Sequence, residues 1–234
     1  MKNNERLYVD VHVLQTVPPS CVNRDDTGSP KTAVYGGVTR ARVSSQSWKR
    51  AMRRMFEVDF QNEQKGIRTQ KLVETLKNEI LSICPDKKDV EKYAKTDLEA
   101  VDFKIKKDND DKEVLEALFF ISENQIKAVA KIAADTATLS DLKKKKEVIK
   151  KVINDDPSID IALFGRMLAS NPDLNSEACA QVAHSISTHK VNNEYDYFTA
   201  VDDLSPENNA GAAHLGKVDF NYSKLYRYAT VAVH

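Results

Sequence analysis

Net charge is what this chain lacks: its 35 lysines and arginines balance 35 aspartates and glutamates over 234 residues. Overall electrostatics therefore selects no partner, whether nucleic acid, membrane surface or acidic substrate. Cysteine is scarce as well. Cys21, Cys84 and Cys179 form no CxxC pair and have no histidine at zinc-ligand spacing. That argues against a disulfide framework or a zinc site and for reduced structural thiols in a cytoplasmic protein. No apolar run reaches the length of a membrane span, and the amino terminus, MKNNERLYVDVHVLQTV, lacks the apolar core of a signal peptide. The expectation is a soluble, cytoplasmic chain that meets no membrane. Its 41% apolar and 30% charged residues suffice for one substantial domain or two small ones.

The balance of charge conceals an uneven distribution. From Thr27 to Phe56 there are seven lysines and arginines and no acid, which leaves 28 basic against 35 acidic residues elsewhere. Six of the seven fall in RARVSSQSWKRAMRRMF, residues 40–56. There Trp48, Ala51, Met52, Met55 and Phe56 recur at helical spacing, with Lys49, Arg50, Arg53 and Arg54 on the other side. Ser44 and Ser45 stand where an N-cap belongs, which puts the first turn at Gln46–Lys49.

A helix start offers amide N–H groups without internal partners and the positive end of the macrodipole, so it suits a phosphate. Ser44, Ser45 and Ser47 add hydroxyls, Gln46 an amide and Lys49 a full charge. Such a set holds a nucleic-acid backbone without reading bases. The plain alternative is an amphipathic helix with a solvated basic face. Arg24, Lys31, Arg40 and Arg42 just upstream give the phosphate reading equal standing with it. The RNP1 pattern of a standard RNA-recognition strand is absent, so stacking of bases on a sheet is not indicated.

Around this stretch the pattern is mixed. RLYVDVHVL at 6–14 alternates as a half-buried strand, with Leu7, Val9, Val11 and Val13 on the buried face. A long loop follows, punctuated by Pro18, Pro19, Gly28, Pro30 and Gly36-Gly37. From about Gln61 to Asp156 the chain reads as helical, and its lysine run at 143–146 as a solvated face. PSIDIALFGRML at 157–168, QVAHSISTHKV at 181–191 and KLYRYATVAVH at 224–234 read as strands, and the polar, aromatic segment before the last as an extended hairpin or arm. No internal repeat is visible. The fold class is α+β.

Taken in order, HVLQTVPPSCVNRDD, GGVTRARVSSQSWKRAMR, IDIALFGRM, AHSISTHKV, DYFTAVDDL and AHLGKVDFNYSKLYRYATV span nearly the whole chain. Together they resemble the CasC family, the repeated backbone subunit of the type I-E CRISPR surveillance complex called Cascade. The helical region between them matches poorly. The resemblance implies a modified RNA-recognition-like palm of ferredoxin-like topology at 1–60, 157–190 and 222–234, a helical fingers insertion at 61–156 and a β-hairpin-like thumb at 191–221. It implies as partners CRISPR RNA, neighbouring copies of the chain in a helical filament, other Cascade subunits, and target DNA through guide pairing, in antiviral defence. The division of labour is that of other RNA-guided effectors: the protein holds the backbone and base pairing reads the sequence.

Carried over by motif, Arg24, Lys31, Ser44, Gln46, Ser47 and Lys49 would hold phosphates, with Arg40, Arg42, Arg50 and Arg53 of the same basic run counted among the RNA-binding residues. Met167, Phe198 and Thr199 would lie at the thumb and the displaced-base gap; without the family pattern Met167 and Phe198 would be read as core. His184, His189 and His214 are assigned no role, and neither catalytic residue, metal nor cofactor is expected. Family members continue well beyond His234 with a helix and strand that complete the palm, so an open sheet edge and an uncovered apolar face are expected here. A split gene, a truncated copy and a shortened homologue that caps or inhibits the complex would each account for this. The rival function is a metal-dependent endoribonuclease using Asp25 and Asp26, although adjacent aspartates in DDTG are more often turn formers. A third reading is a protein-only interaction module using the lysine-rich fingers.

Overall fold

The computed structural model describes residues 6–60, 64–200, 204 and 214–233. In chain order they form β1 (Tyr8–Ser20), β2 (Thr32–Tyr35), β3 (Val38–Val43) and α1 (Ser45–Asp59). Next come β4 (Gly66–Thr69), α2 (Leu72–Ile83), α3 (Val90–Ala100), β5 (Ile105–Lys107), β6 (Glu113–Leu115) and β7 (Phe119–Ser122). Helices α4 (Glu123–Asp135), α5 (Leu139–Lys143), α6 (Lys146–Asn154) and α7 (Ile159–Phe164) follow, then β8 (Ala180–Val182), β9 (Ser185–Ser187), β10 (Glu194–Ala200) and β11 (His214–Ala232). The class is α+β, as the pattern predicts. Two compact units divide it, Met1–Met52 with Gln181–His234, and Arg53–Ala180.

The first unit is an antiparallel sheet of order β1-β11-β9-β3-β2, to which β8 and β10 add by pairing with β11. Gly36 and Gly37, with φ of 64° and 77°, turn β2 into β3. Positive φ at both turn positions is what a two-residue hairpin of this hand demands. The β1–β11 ladder is regular from Tyr8↔Ala232 to Val17↔Ser223 and shifts register between Val17 and Ser20, where Pro18 and Pro19 offer no N–H. The N-terminal half of β11 instead pairs with β10, from Glu194↔Phe220 to Ala200↔His214, as the expected hairpin. Residues 201–203 and 205–213 lie outside the described residues, as do 1–5, 61–63 and His234.

Alternation along β1 predicts the burial wrongly. Val17 is buried, but Leu7, Val9, Val11 and Val13 are 59%, 47%, 45% and 37% exposed. The small core of this unit is Val17, Ala41, Val43, Val191 and Leu225, with Trp48 of α1 packed on it. Among the described residues no other helix of this unit is present to cover the rest of that face, which stays apolar and open.

The second unit holds the larger core: Leu72, Leu76 and Ile80 of α2, Ala94 and Leu98 of α3, Phe119 and Ile121 of β7, Ala130 and Ala133 of α4, then Leu142, Ile149 and Ile153. Ser122 caps α4 through a reciprocal pair with Gln125. It is less purely helical than its composition suggests, because β4 pairs β7 and β5 pairs β6. PSIDIALFGRML, expected as a strand, instead forms α7, which ends at Gly165 with φ 74°. The reason is tertiary: Asp160 accepts hydrogen bonds from Gly66 N and Ser158 Oγ at 2.8 and 2.7 Å, and one helical turn places that carboxylate inside the unit. Residues 157–180 accordingly belong to the second unit, whereas the domain reading of the sequence assigns them to the palm. The lysine run is largely spent internally: Lys144 pairs with Asp141, Lys146 with Asp102, and Lys145 donates to Thr136 Oγ1. Among the described residues no helix is long and apolar enough to cross a membrane.

Asp97 on α3 is fully buried, and neither carboxylate oxygen has a hydrogen-bond partner among the described residues. Burial pushes its pKa up to about 8, against the pull of Lys145 and Lys87. The folded state therefore retains a proton that the unfolded state has released. The stabilising contribution is fully present below the ordinary value of 3.8 and is lost as pH rises to about 8. Urea unfolding midpoints measured across this window are expected to fall with pH, and Asp97→Asn to flatten the trend. An unchanged slope in the variant would refute the assignment.

Candidate nucleic-acid interface

The helix start predicted from SSQSWK is present, and its first turn is open on one side. Ser44 is the N-cap: its carbonyl accepts from Ser47 N at 3.0 Å and Trp48 N at 3.2 Å, and its hydroxyl from Ser47 N at 3.3 Å. Ser44 is 6% exposed and its hydroxyl is engaged, so it organises the turn rather than offering itself to a ligand, contrary to the sequence expectation. The amides of Ser45 and Gln46 find no acceptor among the described residues. Gln46 is exposed, while Ser47 and Lys49 are half-buried. The open amides, the dipole and Lys49 make this end locally positive.

The backbone that bears Arg24 and Lys31 is tied to this end by Asn23, a residue that sequence reasoning passed over. Asn23 Oδ1 accepts from Ser44 N at 2.9 Å, and Asn23 O accepts from Lys31 N at 2.8 Å. Lys31 O in turn accepts from Arg42 N at 2.9 Å, and Arg24 bridges to Pro30. The signal was available in NRDD, since asparagine beside a turn commonly bonds backbone groups across it. Asp25 shapes the rest of the loop. Its Oδ1 accepts from Thr27 Oγ1 at 2.7 Å, Thr27 N at 2.9 Å and Ser29 N at 3.0 Å. The Thr27 hydroxyl, with the backbone amides, holds the Asp25 carboxyl below its usual range.

Three of the other cations do different work. Ala41 and Val43 point toward the core under α1, so strand alternation sends Arg40 and Arg42 to the opposite sheet face. There Arg40 donates to Tyr35 O at 3.0 Å and Ser187 O at 2.9 Å, and Arg42 to Thr32 O at 3.3 Å. They do not join the helix start. Arg53 is tied down entirely: Nε to Asp160 Oδ2 at 2.8 Å, Nη2 to Gly66 O at 3.0 Å, and its guanidinium 4.4 Å from the Phe120 ring. Asp160 is 4% exposed, so Arg53 is a structural cation rather than a free phosphate ligand. Arg50 is exposed. The misassignment arose because helical spacing separates a basic from an apolar side but does not show which cation meets a carboxylate distant in sequence.

Met167, in the second unit, is 86% exposed between buried Arg166 and Leu168, so the default core reading fails for it. On β10, Phe198 faces Gly216 across the ladder and Thr199 faces Leu215. The Phe198 ring lies over Gly216 so closely that a Cβ there would meet it at 2.2 Å, so a larger residue would push the ring aside.

Residues 9–234 match the family of CT1975-like proteins. The chain belongs to that family. Two solved chains are also similar to this CT1975-like protein. One, from a "CRISPR RNA-guided surveillance complex, pre-nicking", is 33% identical with a TM-score of 0.79, covering 96% of this chain and 64% of that one. The other, from a "CRISPR RNA-guided surveillance complex", is 27% identical with a TM-score of 0.68, covering 96% and 63%. The CT1975-like chain thus spans just under two thirds of the length of either. No curated protein sequence matches it.

The two arginines on α1 separate experimentally. Arg53→Ala strips the buried Asp160 of its cation and is expected to cost about 2–3 kcal/mol in urea unfolding. Arg50→Ala, at the exposed surface, should stay within about 0.5 kcal/mol of the parent. Equal effects would contradict the placement of Arg53.

Proposed function

We propose that this protein is a non-catalytic, RNA-binding backbone subunit of a Cascade-like complex, of the CasC type of type I-E systems. It holds CRISPR RNA by its phosphates, stacks with copies of itself and other subunits in the cytoplasm, and leaves bases free to pair with target DNA. The observation that carries this reading is the likeness, over nearly the whole chain, to a chain of an RNA-guided surveillance complex. The site geometry supports it. An open helix start, Lys49, and a loop pinned beside it that bears Arg24 and Lys31 form a set suited to sugar–phosphate and indifferent to base identity. One chain makes few such contacts, so tight binding comes from linked copies along one RNA.

Arg24→Ala and Lys49→Ala are each expected to weaken binding of single-stranded RNA alike for all sequences, and to reduce the slope of log K against log salt by about 1. Filter binding over a salt series reads both quantities. A strong preference for one sequence, lost in these variants, would overturn the reading.

The ribonuclease alternative assigns Asp25 to chemistry. Its carboxylate is the acceptor that closes the Thr27–Ser29 turn, which is the work of a turn former. Labelled RNA incubated with the protein and Mg²⁺ is expected to stay intact. Cleavage abolished by Asp25→Ala or Asp26→Ala would instead establish the nuclease.

A further inference from the structure

Strand β1 is outermost in its sheet, and among the described residues it pairs only with β11. An edge strand in a monomeric protein is normally blunted by lysine, proline, a bulge or shortness, because its free backbone groups are a template for another strand. Over residues 8–14 this one has none of these: lysine, proline and glycine are absent, and its register with β11 is unbroken. Pro18, Pro19 and the register shift guard only the far end, beyond Val17. Val9, Val11 and Val13 are exposed on one face, and Leu14 is 68% exposed on the other.

The backbone and the side chains of this edge ask for the same partner. Val233 N donates to Leu7 O at 2.9 Å, so in the antiparallel alternation Val9, Val11 and Val13 direct their backbone groups to β11. Asp10 and His12 then direct theirs outward. Their side chains share the face opposite the core, and a tyrosine of β11 holds each of them. Asp10 Oδ1 accepts from Tyr228 Oη at 3.0 Å, and His12 Nδ1 meets Tyr226 Oη at 2.7 Å, which leaves Nε2 for a further contact. A second β1 laid antiparallel about a two-fold axis at Val11 sets Val11 against its own counterpart in a non-hydrogen-bonded position. Asp10 then exchanges both backbone bonds with the partner's His12, and His12 with the partner's Asp10. A carboxylate thus faces an imidazole twice, and Val9 meets the partner's Val13 on the other face. An axis at Asp10 or at His12 would set like groups against each other, so charge selects the register.

We propose that two copies of this chain pair through β1, antiparallel about Val11, as a self-complementary dimer. The inference goes beyond the proposed function. Stacking along an RNA is head to tail and can continue, whereas this contact is isologous, closes on itself and needs no nucleic acid.

Sedimentation velocity of the full chain without RNA, over a dilution series, is expected to show a monomer–dimer equilibrium. Amide hydrogen exchange followed by NMR gives the register. The amides of Asp10 and His12 should slow as concentration rises, while those of Val9, Val11 and Val13, bonded to β11, stay protected at every dilution. Asp10→Lys should raise the dissociation constant about tenfold, and adding His12→Asp should restore it by reversing the pair. Both side chains are exposed, so neither change threatens the fold. A chain that stays monomeric throughout, or a dimer indifferent to Asp10→Lys, would overturn the pairing. So would Asp10 and His12 amides protected at every dilution, because the chain itself would then cover the edge. RNA binding that depends on Lys49 would survive each of these results, which separates this inference from the proposed function.

Discussion

Every cation on α1 takes its direction from the apolar stripe of that helix. In the first unit the half-buried Trp48 packs on the sheet core of Val17, Ala41, Val43, Val191 and Leu225. In the second, Phe56 lies against Phe60 and Phe164. A helix with one committed stripe has no freedom to rotate, so each remaining position faces a set direction. Arg227 closes the arrangement from above, its guanidinium 3.8 Å from the Trp48 ring. In the first unit the start of the helix stays beside the loop that bears Asn23, because Ser44 N donates to Asn23 Oδ1 at 2.9 Å.

Around this helix, polar groups do the positioning that the small core cannot. The first unit buries few apolar side chains, yet its loop of about ten residues between β1 and β2 is held by specific bonds. Asn23 joins the loop to the helix cap, Asp25 closes the turn, and Ser29 Oγ donates to Asp219 at 2.6 Å. These bonds matter because a phosphate site needs its donors fixed in advance; ordering a free loop on binding would consume much of the affinity. The same economy marks the second unit, where the buried Arg166 organises three carbonyls from separate segments.

Some of this was legible and some was not, for reasons that differ by residue. The span of α1 could be read from sequence because its stripe has five apolar residues at helical spacing and serines at its start. The pairing of β10 with β11 matches the extended hairpin or arm suggested by a polar, aromatic and turn-rich segment. The burial of Val9 and Val11 could not be read, since alternation reports which residues share a face but not whether anything covers it. Helix α7 was mistaken for a strand because six residues of mixed apolar character fit either period, and the deciding contact, Asp160 to Gly66, spans 94 positions.

By itself the sequence determined α1 and its serine start, the concentration of positive charge before Glu57, and a family resemblance that the match over residues 9–234 bears out at the level of CT1975-like proteins. These are properties of neighbouring residues and of their order. Tertiary structure alone decided which cations are available. Arg40, Arg42 and Arg53 are satisfied by carbonyls and a carboxylate brought from elsewhere in the chain, while an asparagine side chain ties the loop that bears Arg24 and Lys31 to the helix cap. Charge is written in composition, but whether it is spent inside the protein depends on partners that only folding brings within hydrogen-bond distance.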